Sequence, residues 1–220
     1  MLFRSGLQED HSTEKYRDII GSMLEEVARL SAMIDTLLTI AHADSGVIEL
    51  QRSVFPMMDL VQESVGVVGV LAEDKKQTIS VVGDNEISVF ADRNFLRMAV
   101  INLLDNAVKY SPSGSTVRLI LSDEKNCSNQ TEFVQLAIED EGPGIPQGKA
   151  SRVFDRFYRV DEGRTRDAGG AGLGLAIAKW VVEAHGGTIG VTPRSPNGSI
   201  FSISLPKACL PGHVLRAGRT

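Results

Sequence analysis

The chain has 220 residues, 42% of them hydrophobic, enough for one well-packed domain plus a smaller element. With 23 basic and 28 acidic residues its formal charge is −5, which argues against a general nucleic-acid binder. Cys127 and Cys209 lie far apart and make no C-x-x-C pair, which fits a reducing compartment; no run reaches the ~18 apolar residues that span a bilayer, and no signal peptide is legible.

Residues 1–9 read as a terminus without structure. Leu2-Phe3-Arg4-Ser5 can be encoded by a common sequencing adapter, so an assembly scar with natural chain upstream and an ordinary terminus both stay open. Tyr16, Ile20, Met23, Val27, Leu30, Ile34, Leu37 and Ala41 then follow a strict heptad. The pattern predicts one long helix over 10–45, ending at Asp44-Ser45-Gly46. A single helix cannot bury such a seam, so a hairpin or a dimer is expected.

Beyond Gly46, Val47–Phe55 reads as a strand. Pro56 suits the first turn of a helix to Asp74, with Met58, Val61, Val65, Val68 and Ala72 inward. Thr78–Val82 and Ile87–Phe90 read as short strands around Gly83-Asp84-Asn85. Asp92 is placed to cap a helix over Arg93–Tyr110. Val117–Leu121 and Phe133–Ile138 read as a hairpin. A short helix near Ala150–Phe157 follows, then a polar, glycine-containing stretch over 158–171 with the look of a lid. Leu173–His185 reads as a helix closed by Gly186-Gly187, and Thr188–Val191 with Ile200–Leu205 as a last hairpin. The tail, 207–220, has no pattern. This order predicts an α+β fold: a two-layer sandwich of one mixed sheet and one helical layer over 46–206.

Three polar clusters interrupt apolar surroundings. In INLLDNAVKY (101–110), Asn102 and Asn106 share a helix face, flanked by Lys109 and Tyr110. An amide oxygen can ligate Mg²⁺, and an ammonium suits phosphate. In EDEGPGIP (139–146), Asp140 ends an apolar strand. A carboxylate buried there needs a donor such as the amine of adenine, and guanine's carbonyl would be repelled. In GGAGLGLA (169–176), four glycines fall within six residues before a helix, where free N–H groups attract an anion. The spacing is neither a P-loop nor G-x-G-x-x-G, since position 177 is Ile.

Together, in this order, these clusters resemble the N, G1 and G2 boxes of the sensor histidine kinases, within the superfamily shared with gyrase B, Hsp90 and MutL. FDRFYR (154–159) is similar to the F box, and the resemblance covers residues 10–206. It implies an ATP-binding catalytic domain behind the second helix of a dimerisation hairpin. By that resemblance Asn106 is the Mg²⁺ ligand, supported by Asn102, and the two form the catalytic pair. Lys109 meets phosphate, Tyr110 packs near the nucleotide and Asp140 takes the adenine amine. Gly142, Gly144 and Ile145 shape that pocket. Gly170, Gly172, Leu173, Gly174 and Leu175 line the phosphates, and Phe154 and Phe157 anchor the lid. Arg159, Arg164 and Arg166 read equally as phosphate contacts or surface arginines. Ala171 departs from the usual Ser or Thr, which removes one hydroxyl.

The superfamily's ATPases typically carry a glutamate at the position of Asn102, and an amide cannot be that base. The resemblance therefore implies a bacterial two-component kinase transferring the ATP γ-phosphoryl to histidine, for relay to a response regulator aspartate. The implied partners are ATP, Mg²⁺, a second copy and a receiver domain. The implied location is cytoplasmic, with upstream segments anchored in the inner membrane. One element is missing: no acceptor box like HELRTP is present. His11 lacks its context, His42 and His185 sit near helix C-termini that favour a cation, and His213 is in the tail. Two alternatives stay open, a catalytically incomplete nucleotide-binding dimerisation module and an anti-sigma-type protein-serine kinase.

Overall fold

The computed structural model describes residues 13–44, 48–125, 132–146, 148–160 and 172–208. Contacts divide the chain into two units, Met1–Val47 and Ile48–Thr220. The first is helix α1, Thr13–Asp44. Along it Tyr16, Ile20, Met23, Val27, Leu30, Ile34 and Leu37 are exposed, as are Leu24 and Leu38. No helix among the described residues is long and apolar enough to cross a membrane.

In the second unit the order is β1 (Ser53–Pro56), α2 (Met57–Asp74), β2 (Thr78–Gly83), β3 (Ser88–Ala91), α3 (Arg93–Tyr110), β4 (Thr116–Lys125), β5 (Glu132–Glu139), α4 (Gly174–Ala184), β6 (Thr188–Pro193) and β7 (Ser199–Pro206). Five strands form one mixed sheet in the order β2-β4-β5-β7-β6, with β2–β4 parallel and the other pairs antiparallel. Alternate residues point inward: Val117, Leu119 and Leu121; Val134, Leu136 and Ile138; Phe201, Ile203 and Leu205. Helix α2 contributes Leu60, Val61 and Val68, α3 contributes Leu96, Leu103 and Leu104, and α4 contributes Ile177, Val181 and Val182. Each such side chain stabilises by roughly 1.5–3 kcal/mol, so the layers are held by apolar burial. The α+β sandwich expected from the sequence is therefore present.

The two short strands around Gly83-Asp84-Asn85 join different sheets: β3 pairs with β1 in a separate two-stranded sheet, while β2 joins β4. Two local expectations are corrected. The first strand is only four residues long, and Pro56 ends it as the N-cap of α2 rather than opening the helix. Residues 150–157 form successive turns rather than a helix. Phe157 there has φ of +62°, which no right-handed helix accommodates.

His185 joins two helices that carry site residues. Its Nε2 accepts the Asp92 N–H at 2.9 Å, so Nδ1 carries the proton and donates to the Val181 carbonyl at 2.7 Å. The Asp92 side chain in turn caps α3 by accepting from Asn94 N and Phe95 N. His185 is thus a buried neutral group and not the helix-end cation the sequence suggested. Burial pushes its pKa down and the Arg52 charge adds to this, against the Val181 carbonyl and the Asp92 carboxylate. The unfolded chain therefore takes up the proton first. The bond's contribution is complete above an unfolded histidine's pKa of about 6.5 and declines as pH falls below it. Thermal melts from pH 7.5 to 5.5 are expected to lose stability more steeply for the wild type than for His185→Gln; parallel slopes would exclude this linkage.

Candidate nucleotide site

Asp140 follows the last residue of β5 and is 4% exposed. Its Oδ1 accepts the Gly142 N–H at 2.8 Å and the Ser199 N–H at 3.1 Å. Burial pushes its pKa up; the two backbone donors, Arg194 and the Ser199 hydroxyl pull it back. A carboxylate so placed is fixed in direction and retains acceptor capacity for a ligand donor. Glycines make the arrangement possible. A Cβ on Gly142 would lie 2.9 Å from Asp140 Oδ1 and 3.1 Å from the Tyr110 carbonyl oxygen. Gly144 has φ of +74° and faces Gly198, whose own Cβ would collide with the Asp140 carbonyl. Gly198 has φ of +112°, which L side chains rarely adopt. Gly198→Ala is therefore expected to lower stability by about 3 kcal/mol or more, read as a loss of denaturation midpoint relative to wild type. Ser199 and Gly198 were not legible as site residues. They lie in the β6–β7 hairpin, 59 and 58 positions from Asp140, and their role is made by long-range backbone contact.

On α3, Asn102 and Asn106 are both half-buried. Asn102 Nδ2 donates to the Met98 carbonyl at 2.9 Å. Its Oδ1 faces the first turn of α4, since a Cβ on Gly174 would come within 2.6 Å of it. Gly174 is thus glycine because the Asn102 amide packs against it. Asn106 has no hydrogen-bond partner among the described residues. Lys109 Nζ pairs with Asp105 Oδ2 at 3.2 Å, both side chains partly exposed. Such a pair holds by only ~0.3–0.5 kcal/mol, so a phosphate competes readily for the ammonium. Tyr110 is exposed at the helix end.

Helix α4 begins after Leu173 with no side chain capping its first N–H groups. Leu173 is buried and Leu175 half-buried. The backbone enters through Gly172, with φ of +71°. The Phe157 N–H donates to the Gly172 carbonyl at 2.9 Å, and a Cβ on Gly172 would lie 2.9–3.0 Å from the Phe157 backbone. Phe154 is buried edge-to-face on Phe201 at 6.3 Å, whereas Phe157 is exposed. The chain thus brings 157 and 172, the two flanks of the glycine-containing stretch, together. Gly170, Ala171, Arg164 and Arg166 lie outside the described residues, as do His11 and His213. Ile145 is half-buried beside Gly144.

This arrangement coincides with a known sequence pattern: the family model for histidine kinase-, DNA gyrase B- and HSP90-like ATPases matches residues 91–208. The chain belongs to this ATPase family. Among its relatives, the sensor histidine kinase CusS of Escherichia coli K12 is 36% identical over 200 residues, covering 91% of this chain and 40% of CusS. The chain thus spans about 40% of the length of that curated relative. The crystal structure of full-length ShkA in complex with AMPPNP matches with a TM-score of 0.74 at 25% identity, over 91% of this chain and 40% of ShkA. The mycobacterial sensor histidine kinase MprB matches with a TM-score of 0.58 at 32% identity, over 71% of this chain and 97% of that structure. In this ATPase-family chain the matched span runs from the end of β3 through β7, and so contains α3, Asp140 and α4.

Proposed function

We propose that this chain is the second dimerisation helix (10–45) and the ATP-binding catalytic domain (46–206) of a sensor histidine kinase. The observation that carries the reading is Asp140. It is a buried carboxylate aimed by two backbone N–H groups, in a turn whose glycines pack directly on the Tyr110, Gly198 and Asp140 backbone groups and so fix its direction. ATP would place its adenine amine on Asp140, between Gly142, Gly144 and Ile145. Its phosphates would lie toward the α4 N-terminus at Leu173–Leu175, which no side chain caps and where backbone N–H groups and the helix dipole favour negative charge.

The residues present fit one Mg²⁺. Among the described residues no cluster of three acidic, histidine or cysteine side chains could cage a metal. A metal held by the Asn106 amide would take its other ligands from water and phosphate, as Mg²⁺ does. When bound, it neutralises charge on the transferred phosphoryl group. Lys109 supplies a second cation once it leaves Asp105.

The acceptor would be a neutral imidazole on a separate helix. Its nitrogen forms the new bond to the γ-phosphorus as the bond to the β–γ bridging oxygen breaks, and ADP leaves with that electron pair. Asn102 favours transfer over hydrolysis, because its amide is tied to Met98 and Gly174 and cannot take a proton from water. The exposed apolar seam of α1 fits a partner helix, in a hairpin and with a second copy. A response regulator receiver domain would take the phosphoryl group onward.

The test is a mixing experiment. The chain, Mg²⁺ and γ-labelled ATP are incubated with the separately expressed dimerisation hairpin of CusS. Acid-labile, base-stable label on the hairpin is the expected result. Tight ATP binding with no transfer would point to a nucleotide-binding module, and acid-stable label to a serine kinase. No binding at all would remove the nucleotide reading.

A further inference from the structure

The C-terminal end of α3 is gripped from outside the helix. The turn between α2 and β2 supplies both side chains. Lys75 Nζ donates to the carbonyls of Val108 at 2.7 Å, Lys109 at 2.8 Å and Ser111 at 2.8 Å. An ammonium has three donors, and all three are used. Gln77 Nε2 donates to the carbonyls of Val108 at 3.1 Å, Ser111 at 3.0 Å and Pro112 at 2.9 Å. Gln77 is 8% exposed, and its Oε1 is buried with no partner among the described residues. An orphaned buried acceptor is costly. An amide is favoured over an apolar side chain here because its NH₂ group shares the Val108 and Ser111 carbonyls with Lys75 and the Pro112 carbonyl with Ser115 Oγ, tying the α2–β2 turn to the end of α3.

We infer that Lys75 and Gln77 are positioning residues of the nucleotide site, fixing the last turn of α3 and, through it, Lys109 and the 140–142 turn. The inference rests on the nucleotide-binding reading above. Two links carry it. The first is competition for the helix end. A lysine in a last turn tends to fold back onto the terminal carbonyls, and Lys109 is the basic residue of that turn. Lys75 fills those carbonyls, and Lys109 points instead one turn back to Asp105. The second link is mechanical. Ser111, whose carbonyl both side chains hold, accepts the Glu141 N–H on its Oγ at 3.2 Å. The Tyr110 carbonyl lies 3.1 Å from where Gly142 would carry a Cβ. A shift of residues 110–111 therefore displaces the turn that aims Asp140. The clamp is itself braced, with Gly114 N donating to the Lys75 carbonyl and Thr78 N to the Ser115 carbonyl, each at 3.0 Å.

The test is ATP affinity by titration calorimetry at a temperature where each variant is fully folded, with the melting temperature recorded separately. Lys75→Ala is expected to weaken ATP binding about tenfold through its lost charged hydrogen bonds. Ethylammonium chloride, which returns an N–H cation to the vacated space, is expected to recover affinity, and tetramethylammonium chloride, which has no N–H, is not. A merely structural lysine would lower the melting temperature and leave affinity and its ethylammonium response unmoved, and that result overturns the inference. Should Lys75→Ala not fold, Gln77→Leu serves: a loss of affinity of about threefold supports the clamp, and wild-type affinity overturns it. Failure of wild-type chain to bind ATP would instead strike the nucleotide reading, so the two failures are distinct.

Discussion

Asp140→Asn is expected to weaken ATP binding about 100-fold while the chain stays folded. The two effects separate because of how the carboxylate is held. Both backbone N–H bonds, from Gly142 and Ser199, land on Oδ1. An asparagine carbonyl oxygen can accept both, so the turn and its packing survive. The other carboxylate oxygen becomes an NH₂ donor, and it would face the donor amine of adenine. Losing a charge-assisted bond costs about 1.5–3 kcal/mol, and a donor set against a donor adds to that. A total of ~2.7 kcal/mol corresponds to two decades in affinity. The exchange also has a sign for other bases. Inosine triphosphate presents a carbonyl where adenine has its amine, so Asp140→Asn is expected to bind it better than wild type does. Calorimetric titration with both nucleotides, alongside a melting curve, decides the matter. If the variant kept wild-type preference for ATP over inosine triphosphate, the base would not sit on Asp140.

What was legible in the sequence was local. The heptad of α1, the Asp92 cap and the burial pattern of β5 are set by residues within a turn or a strand of one another. The three polar clusters were legible because polar residues and glycines stood out against apolar neighbours. The pairing of β2 was not. Gly83-Asp84-Asn85 signals a turn, but whether the flanking strands pair is decided by what else offers an edge, and β4 does so in parallel register. The run 150–157 has apolar residues at helical spacing, Val153, Phe154 and Phe157. Yet Phe157 takes a positive φ and gives its N–H to Gly172, so tertiary contact overrides the period. The supporting residues were invisible for the same reason. His185 meets Asp92 across 93 positions, Ser199 meets Asp140 across 59, and Lys75 meets Val108 across 33. Each contact has a backbone group on one side, and a backbone group leaves no mark on the sequence.

Asn106→Ala is expected to lower phosphoryl transfer to a supplied hairpin by about a thousandfold, without loss of stability. The Asn106 side chain takes no part in holding the fold. It sits half-buried on α3 with no hydrogen-bond partner among the described residues, whereas Asn102, one turn earlier, is bonded to Met98 and packed on Gly174. Asparagine is less favourable than alanine inside a helix by roughly 0.7 kcal/mol, so the substitution is expected to hold or raise the melting temperature. An amide kept at that cost is explained by a ligand. If the ligand is Mg²⁺ on the ATP phosphates, removing it forfeits several kcal/mol of charge stabilisation in the transition state, and ~4 kcal/mol is about three decades in rate. ATP affinity of the variant should then cease to respond to Mg²⁺, while that of Asn102→Ala should still respond. A variant at position 106 that is more stable, binds ATP alike with and without Mg²⁺, and transfers slowly would place the metal on Asn106. Wild-type transfer would mean that the unpaired amide serves something else, and that the metal's protein ligand lies elsewhere on the chain.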